Sequence, residues 1–132
     1  MKIAIIGTGY VGLVAGACFS DSGNTVTCID IDRKKTDALK RGEIPIFEPG
    51  LETLVKRGVA EKRLYFTSTY AEAIKEAEII FLAVGTPPLA SGEPDLSYLK
   101  AASEELGRSM NGYKIIVNKS TVPIGSHRAV AE

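Results

Sequence analysis

The sequence predicts an α/β protein in which helices cover both faces of a doubly wound parallel sheet. Short apolar runs alternate along the chain with stretches of helical periodicity. The clearest of these runs, at residues 3–6 and 79–84, are apolar at every position, as in strands that are buried on both faces of a parallel sheet. Right-handed crossovers between such strands give the doubly wound arrangement. We expect one domain over residues 1–132, because a chain of this length buries a single core.

Each element follows from a local pattern. The predicted strands are the five apolar runs at residues 2–6, 25–30, 64–68, 78–84 and 114–120. The predicted helices are the periodic stretches at residues 11–23, 33–42, from about 50 onward, 70–77, 96–110 and 124–132. Segment 85–95 is rich in proline and glycine and is predicted to be a loop. Ligand sites of such sheets lie beyond the carboxyl ends of the strands, so we expect functional residues in the segments that follow them.

Composition narrows the classes of partner and site. The chain has 16 basic and 16 acidic residues, and this zero net charge argues against nucleic acid or an anionic membrane as partner. No apolar run approaches the roughly 20 residues of a membrane span, and no signal-peptide pattern is visible, so we expect a cytoplasmic protein. Cys18 and Cys28 form neither a disulfide framework nor a metal-ligand spacing, so we expect no metal and two core thiols.

The first predicted strand runs directly into glycines spaced as G-x-G-x-x-G, namely Gly7, Gly9 and Gly12. Between a strand and a helix, this spacing is typical of a Rossmann-type dinucleotide site. Gly7 would permit the tight turn, Gly9 would let the backbone approach a pyrophosphate, and Gly12 would let the helix pack on the sheet. The helix N-terminus would then offer N–H groups to the phosphates. The alternative is that the glycines make only a tight strand-to-helix turn.

An acidic residue at the end of the second strand bears on the choice of cofactor. Asp30 ends that strand, 18 residues after Gly12. A carboxylate there would accept hydrogen bonds from the adenosine ribose and repel a 2′-phosphate, which predicts NAD rather than NADP. Asp32 is a rival for the role, and we prefer Asp30 because it directly follows the apolar run. The basic residues at 33–35 could accommodate a 2′-phosphate and leave NADP as the alternative.

Four motifs along the chain together resemble a known enzyme family. They are GTGYVG at 7–12, PIFEPGL at 45–51, VGTP at 84–87 and STVPIG at 120–125. In this order and spacing they resemble the UDP-glucose/GDP-mannose dehydrogenase family over nearly the whole chain. The resemblance implies an N-terminal NAD-binding domain, joined by a long helix to a second α/β domain that holds the nucleotide sugar.

The resemblance also implies a reaction, the oxidation of a sugar alcohol to a carboxylate with two NAD and a cysteine that carries the covalent intermediates. Segment 84–98 is most similar to the UDP-glucose branch, so we expect UDP-glucose to be oxidised at C6 to UDP-glucuronate. GDP-mannose or an N-acetylated UDP-sugar stays open as substrate, and a non-catalytic, freestanding NAD-binding module is the other class of function. The catalytic cysteine would lie beyond residue 132, so we expect a C-terminally truncated chain, inactive alone, from a homodimeric enzyme.

Individual roles on the adenosine side follow from the same resemblance. Tyr10 and Val11 would lie over the pyrophosphate of NAD. Asp30 would bind the adenosine ribose, and Lys35 would match a basic position near that ribose.

Three further residues have implied roles on the nicotinamide and substrate side. Thr86 would lie close to the nicotinamide half, Thr121 would help to position a water molecule and the reacting group, and Glu48 would border the substrate cleft. Each has a plain alternative: Thr86 in a rigid proline turn, Thr121 as a helix cap, and Glu48 as a solvated loop carboxylate. His127, the only histidine, is expected to be an exposed surface residue.

Overall fold

A computed structural model describes all 132 residues and contains a five-stranded parallel sheet. The strands are β1 Lys2–Ile6, β2 Thr25–Ile29, β3 Leu64–Thr67, β4 Ile79–Leu82 and β5 Ile115–Asn118. The helices are α1 Tyr10–Asp21, α2 Arg33–Lys40, α3 Leu51–Ala60, α4 Tyr70–Glu76, α5 Ser97–Ser109 and α6 Ser126–Ala131. The predicted α/β fold class is therefore confirmed, and every predicted strand and helix is present, with small differences at the ends.

The sheet has the strand order β3-β2-β1-β4-β5, with every neighbouring pair parallel. Strand β2 lies beside β1 and β3 lies beside β2. The chain then crosses over the sheet, so that β4 pairs with β1 on its other side. Ile6 at the end of β1 is paired with Ile29 of β2 and with Leu82 of β4. The turns after these three strands consequently meet at one edge of the sheet, where the order of strands reverses.

Two hydrophobic layers enclose the sheet, and β1 contributes to both. Ile3 and Ile5 pack in the layer that contains residues of α1 and α3. Ala4 and Ile6 pack in the opposite layer, with residues of α4 and α5. Because successive strand residues point to opposite faces, a strand covered on both sides must be apolar at every position. This arrangement explains the uninterrupted apolar run that predicted β1.

Helix α1 approaches the sheet closely because it carries glycine on its inner face. A Cβ added at Gly16 would lie 2.6 Å from the Sγ atom of Cys28, so a larger residue there would have to displace the Cys28 side chain or the helix. Because α1 begins at Tyr10, shortly after β1 ends at Ile6, the N-terminus of the helix lies at the carboxyl edge of the sheet. None of the six helices combines the length and the apolar character needed to cross a membrane.

Candidate cofactor site

A cleft of about 780 Å³ opens at the carboxyl edge of the sheet, beside the switch point between β1 and β4. Its walls come from the segments that follow β1 to β4 and from one side of α5. Its volume lies within the range of about 300–1,000 Å³ that is usual for ligand and cofactor sites. Four of the residues predicted for cofactor binding line this cleft: Gly7, Gly9, Asp30 and Lys35.

The three glycines of the turn differ in what the fold demands of them. Gly7 has a φ of +101°, and a Cβ there would lie 2.5 Å from the carbonyl oxygen of Ala83. A Cβ at Gly12 would overlap the carbonyl oxygen of Gly7. Gly9, by contrast, has ordinary extended backbone, and no atom lies within 4 Å of the place where its Cβ would be. The fold needs glycine at the first and third positions, whereas glycine at the second leaves open space for a ligand.

The N-terminus of α1 is available to an anion. No side chain caps it, and its first turn contains no acidic residue. The N–H groups of a first helical turn have no partner within the helix, and the helix dipole adds partial positive charge there. Together with the open space at Gly9, these free donors fit the pyrophosphate of a dinucleotide.

The carboxylate of Asp30 is held at the cleft by several donors. Its Oδ2 atom accepts hydrogen bonds from the Thr8 amide at 3.0 Å and the Thr8 hydroxyl at 2.6 Å. The Lys35 ammonium lies 3.2 Å from the same oxygen. The Oδ1 atom accepts one hydrogen bond, from the Asp32 amide at 3.1 Å. The side chain of Asp30 is only 14% exposed, so these contacts fix it against the protein.

The environment of Asp30 keeps it ionised. Desolvation is the largest single influence and raises the pKa of this carboxyl. The hydrogen bonds from Thr8 and from the Asp32 amide, together with the charge of Lys35, outweigh it and hold the pKa below its usual value. An ionised carboxylate only accepts hydrogen bonds, so it suits the hydroxyl donors of a ribose and repels a phosphate.

The rival aspartate has a different task in the structure. Asp32 is the N-cap residue of α2, and its side chain accepts a hydrogen bond from the Lys35 amide at 3.2 Å. Asp32 does not line the cleft. Two observations therefore favour Asp30 over Asp32 as the candidate ribose ligand: Asp30 directly follows the apolar run of β2, and it lines the cleft.

Tyr10, Val11 and Glu48 lie beside the cleft and do not line it. Tyr10 and Val11 are exposed in the first turn of α1. The Tyr10 hydroxyl donates a hydrogen bond to the Glu48 carboxylate, and this bond is the main cause of the raised pKa of Tyr10. The structure thus joins the PIFEPGL segment to the glycine turn through one side-chain pair.

Thr86 and Thr121 form a second group, next to a smaller pocket of about 370 Å³. The Thr86 hydroxyl donates to the Thr121 carbonyl oxygen at 2.8 Å, which ties the segment after β4 to the segment after β5. The Ser120 hydroxyl reinforces this junction through the Val84 carbonyl oxygen at 2.8 Å. Helix α6 begins after Gly125, so neither Ser120 nor Thr121 caps it.

Cys18 corrects one sequence-based expectation. Cys28 is buried as expected, and burial raises the pKa of its thiol to about 12. Cys18 is exposed, so the prediction that it is a core residue is wrong. The residues of α1 are almost all small or apolar, so their pattern does not mark an outer face, and Cys18 lies on that face. His127 is exposed, as predicted.

Sequence reasoning gave no role to several residues of the cleft. Thr8 is completely buried and contacts Asp30 twice. Tyr70, Glu105 and Arg108 come from α4 and α5 and line the cleft opposite the glycine turn. Burial, with the charges of Glu105 and Asp30, raises the pKa of Tyr70 to about 12, so its hydroxyl is neutral. Thr8 lies within the glycine motif, at a variable position for which the motif specifies no residue type, so no sequence pattern indicated its contact with Asp30.

Comparison with known sequences agrees with this geometry. The model of the UDP-glucose/GDP-mannose dehydrogenase family, NAD binding domain, matches residues 1–132. The chain is 56% identical over 129 residues to UDP-glucose 6-dehydrogenase TuaD of Bacillus subtilis, covering 98% of this chain and 28% of that protein. It is 47% identical over 132 residues to UDP-glucose 6-dehydrogenase of Pseudomonas aeruginosa, covering 100% of this chain and 29% of that protein.

Solved structures show the same relationship. A ternary complex of GDP-mannose dehydrogenase from Pseudomonas aeruginosa matches with a TM-score of 0.94 at 35% identity, covering 98% of this chain and 30% of that one. A UDP-glucose dehydrogenase from Pyrobaculum islandicum matches with a TM-score of 0.91 at 36% identity, covering 98% and 32%. The chain thus spans less than a third of the length of these relatives. It belongs to the UDP-glucose/GDP-mannose dehydrogenase family, of which it matches the NAD-binding domain.

Proposed function

We propose that the chain is the NAD-binding domain of a UDP-glucose 6-dehydrogenase, which oxidises the C6 alcohol of UDP-glucose to the carboxylate of UDP-glucuronate with two NAD. The observation that carries the cofactor assignment is the ionised Asp30 beside a glycine turn with open space at Gly9. The substrate assignment is supported by 56% and 47% identity to two proteins of that name. The structural neighbours named for GDP-mannose and UDP-glucose, at 35% and 36% identity, do not discriminate between these sugars.

The chain's own groups divide the binding of NAD between them. The free N–H groups at the start of α1 donate to the pyrophosphate, and Gly9 lets that group approach the backbone. Asp30 accepts a hydrogen bond from the adenosine ribose through Oδ1, the oxygen with a single protein donor. Lys35 stays paired with Oδ2 and partly balances the negative charge. Tyr10 and Val11 cover the pyrophosphate from the first turn of α1.

The junction of the segments that follow β4 and β5 would hold the nicotinamide half. NAD bound there supplies the hydride acceptor for the reaction. Thr86 fixes the backbone of Thr121 through the 2.8 Å hydrogen bond and leaves the Thr121 side chain free of that bond. Thr121 then positions a water molecule and the reacting group. Glu48, held beside the glycine turn by Tyr10, borders the substrate side.

The electron count requires a further group that these residues do not provide. Oxidation of an alcohol to a carboxylate removes four electrons, and each NAD accepts two of them with one proton as a hydride. The aldehyde stage must be retained between the two transfers, and a nucleophile that binds it covalently achieves this. Cys28 is buried with a pKa of about 12, and Cys18 does not line the cleft. The nucleophile therefore comes from the part of the enzyme outside this domain. We further propose that the full enzyme is a cytoplasmic homodimer that binds the nucleotide sugar.

The full-length protein tests this function. Purified enzyme is mixed with NAD and, in separate reactions, UDP-glucose, GDP-mannose and UDP-N-acetylmannosamine, and the absorbance of NADH is followed. We expect two NADH for each UDP-glucose consumed and much slower oxidation of the other sugars. Faster oxidation of another sugar would replace the substrate assignment. Binding of NAD without oxidation of any nucleotide sugar would indicate a non-catalytic binding module.

A further inference from the structure

Thr8 connects the turn after β1 to the end of β2 through a side chain that is completely buried. Its amide and its hydroxyl donate to the same oxygen of Asp30, at 3.0 and 2.6 Å. The two strands are neighbours, with Ile6 paired to Ile29, so the residues that follow them are brought together by the sheet itself. The variable positions of the glycine motif carry no requirement for such a residue.

The two oxygens of Asp30 are unequal. Oδ2 has three donors, from the amide and hydroxyl of Thr8 and from Lys35. Oδ1 has one, the Asp32 amide at 3.1 Å. A carboxylate oxygen has about two lone-pair sites, so Oδ2 is saturated and Oδ1 keeps capacity for one further donor. Only one oxygen is thus left for the ribose of a bound dinucleotide.

Of the two side chains that contact Oδ2, Thr8 is the one that can fix its position. Lys35 is 28% exposed and carries a flexible stem, so its ion pair with Asp30 adapts to either orientation of the carboxylate. Thr8 is 0% exposed, and its β-branched side chain has few accessible rotamers. Its hydroxyl is therefore a rigid donor at a defined place.

We propose that Thr8 is a positioning residue for cofactor selection. By saturating Oδ2 it holds the Asp30 carboxylate so that Oδ1 accepts from the ribose and the charge stays where a 2′-phosphate would lie. Thr8 does not itself touch the cofactor in this scheme; it acts through Asp30. The inference rests on the proposed NAD-binding function and names a residue that sets its preference for NAD over NADP.

The test compares three single variants by calorimetric titration of the protein with NAD and with NADP. Thr8→Val removes the hydroxyl at nearly constant volume, and we expect the ratio of NADP to NAD dissociation constants to fall about tenfold. Thr8→Ser restores the donor and should restore the ratio. Thr36→Val is the matched control, because Thr36 is also buried and its hydroxyl donates to the Arg33 carbonyl oxygen at 3.0 Å, away from Asp30. It should leave the ratio unchanged.

A double variant separates positioning from a direct role. In the Asp30→Ala background, Thr8→Val should change the ratio no further, because the group through which Thr8 acts is gone. An unchanged ratio in Thr8→Val alone would overturn the inference while leaving the NAD-binding function intact, provided that Asp30→Ala itself relaxes the preference. Failure of the unmodified protein to bind NAD would overturn both.

A measurement without any substitution keeps the proposal testable if Thr8→Val does not fold. NMR of the cofactor-free protein follows the Asp30 side-chain carboxyl carbon and the Thr8 amide proton during an acid titration. We expect both signals to move with one midpoint, since the amide donates to that carboxylate. Tyr70, a titratable side chain that interacts with Asp30, stays neutral in that range, because burial raises its pKa to about 12. The positive charge of Lys35 lowers the pKa of Asp30. A Thr8 amide proton signal whose chemical shift does not change as Asp30 titrates would overturn the inference.

Discussion

Two aspartates that lie two residues apart at the end of β2 have separate tasks. Asp30 faces the cleft and receives both donors of Thr8. Asp32 caps α2 through the Lys35 amide and does not line the cleft. We propose that Asp30 binds the ribose of NAD, whereas Asp32 stabilises a helix. Substitutions at the two positions should therefore have different consequences.

Asp30→Ala should weaken NAD binding by about 10- to 100-fold, the loss expected for a hydrogen bond to a charged acceptor. It should also bring the affinity for NADP closer to that for NAD, because the repulsion of a 2′-phosphate is removed. Asp32→Ala is the matched control: it should cost about 1 kcal/mol of stability and keep the preference for NAD. Titration with both cofactors checks this, and an unchanged preference in Asp30→Ala would remove the ribose assignment.

The ionisation of Asp30 also predicts how stability depends on pH. Its pKa in the folded protein lies below the ordinary value of 3.8. A carboxyl with a lowered folded pKa stabilises the fold above its unfolded pKa, and that contribution is lost as the pH falls through the folded pKa. Between about pH 6 and about pH 3, the free energy of unfolding should fall more in the unmodified protein than in Asp30→Asn.

Urea denaturation at the two pH values measures this difference. Other carboxyls with lowered pKa, such as Glu43, Glu76 and Asp95, are present in both proteins and cancel in the comparison. Equal losses of stability in the two proteins would contradict the assigned ionisation of Asp30.

At the scale of elements, the strand β1, the glycine turn and helix α1 act as one unit. The fold requires glycine at Gly12, where a Cβ would overlap the carbonyl oxygen of Gly7. The fold does not require glycine at Gly9, because no atom lies within 4 Å of the place where a Cβ would be. We therefore expect stability and cofactor binding to depend on different glycines of one motif.

Substitutions at the two glycines should separate these functions. Gly9→Val should retain the fold and lose NAD binding, because its side chain enters the space that the pyrophosphate needs. Gly12→Ala should destabilise the fold by about 1–3 kcal/mol, the usual cost of overpacking. Chemical denaturation and NAD titration of both variants provide the check. Full NAD affinity in Gly9→Val would show that the turn is not the phosphate site.

The elements could be predicted from the sequence because each has a local cause. Uninterrupted apolar runs are required of strands covered on two faces. The predicted helix over residues 11–23 corresponds to α1, and Gly23, with a φ of +91°, follows the end of that helix. The prediction that Cys18 is buried was wrong because no local pattern indicated which side of α1 faces solvent. A helix whose residues are nearly all small or apolar does not reveal its outer face, so only packing decides which residues are exposed.

The candidate site was predictable where it depends on strand ends and was not where it depends on contacts between distant segments. Asp30 could be placed because it directly follows an apolar run. The hydrogen bond between Thr86 and Thr121 joins residues 35 positions apart, and no local pattern indicates it. The wall that α5 supplies was also missed, since its helical periodicity marks the core-facing residues and not the side that lines a cleft.

At the scale of the molecule, the order β3-β2-β1-β4-β5 creates the cleft. Residues of the turns after β1 and β4 meet there because β2 and β3 are added on one side of β1, whereas β4 and β5 are added on the other side. The same reversal brings the second group, Thr86 and Thr121, beside the cleft and links it to the edge strand β5. The cofactor site is thus a property of the whole sheet, although its recognisable motif occupies six residues.

The most direct test is an NMR map of the backbone amide signals of this chain as NAD is added. We predict that the signals that shift cluster at residues 7–12, 30–35 and 83–86, the segments that follow β1, β2 and β4. NADP at the same concentration should produce markedly smaller shifts. Shifts scattered over the surface, shifts confined to another face of the sheet, or equal responses to both cofactors would contradict an NAD site built on the glycine turn and Asp30.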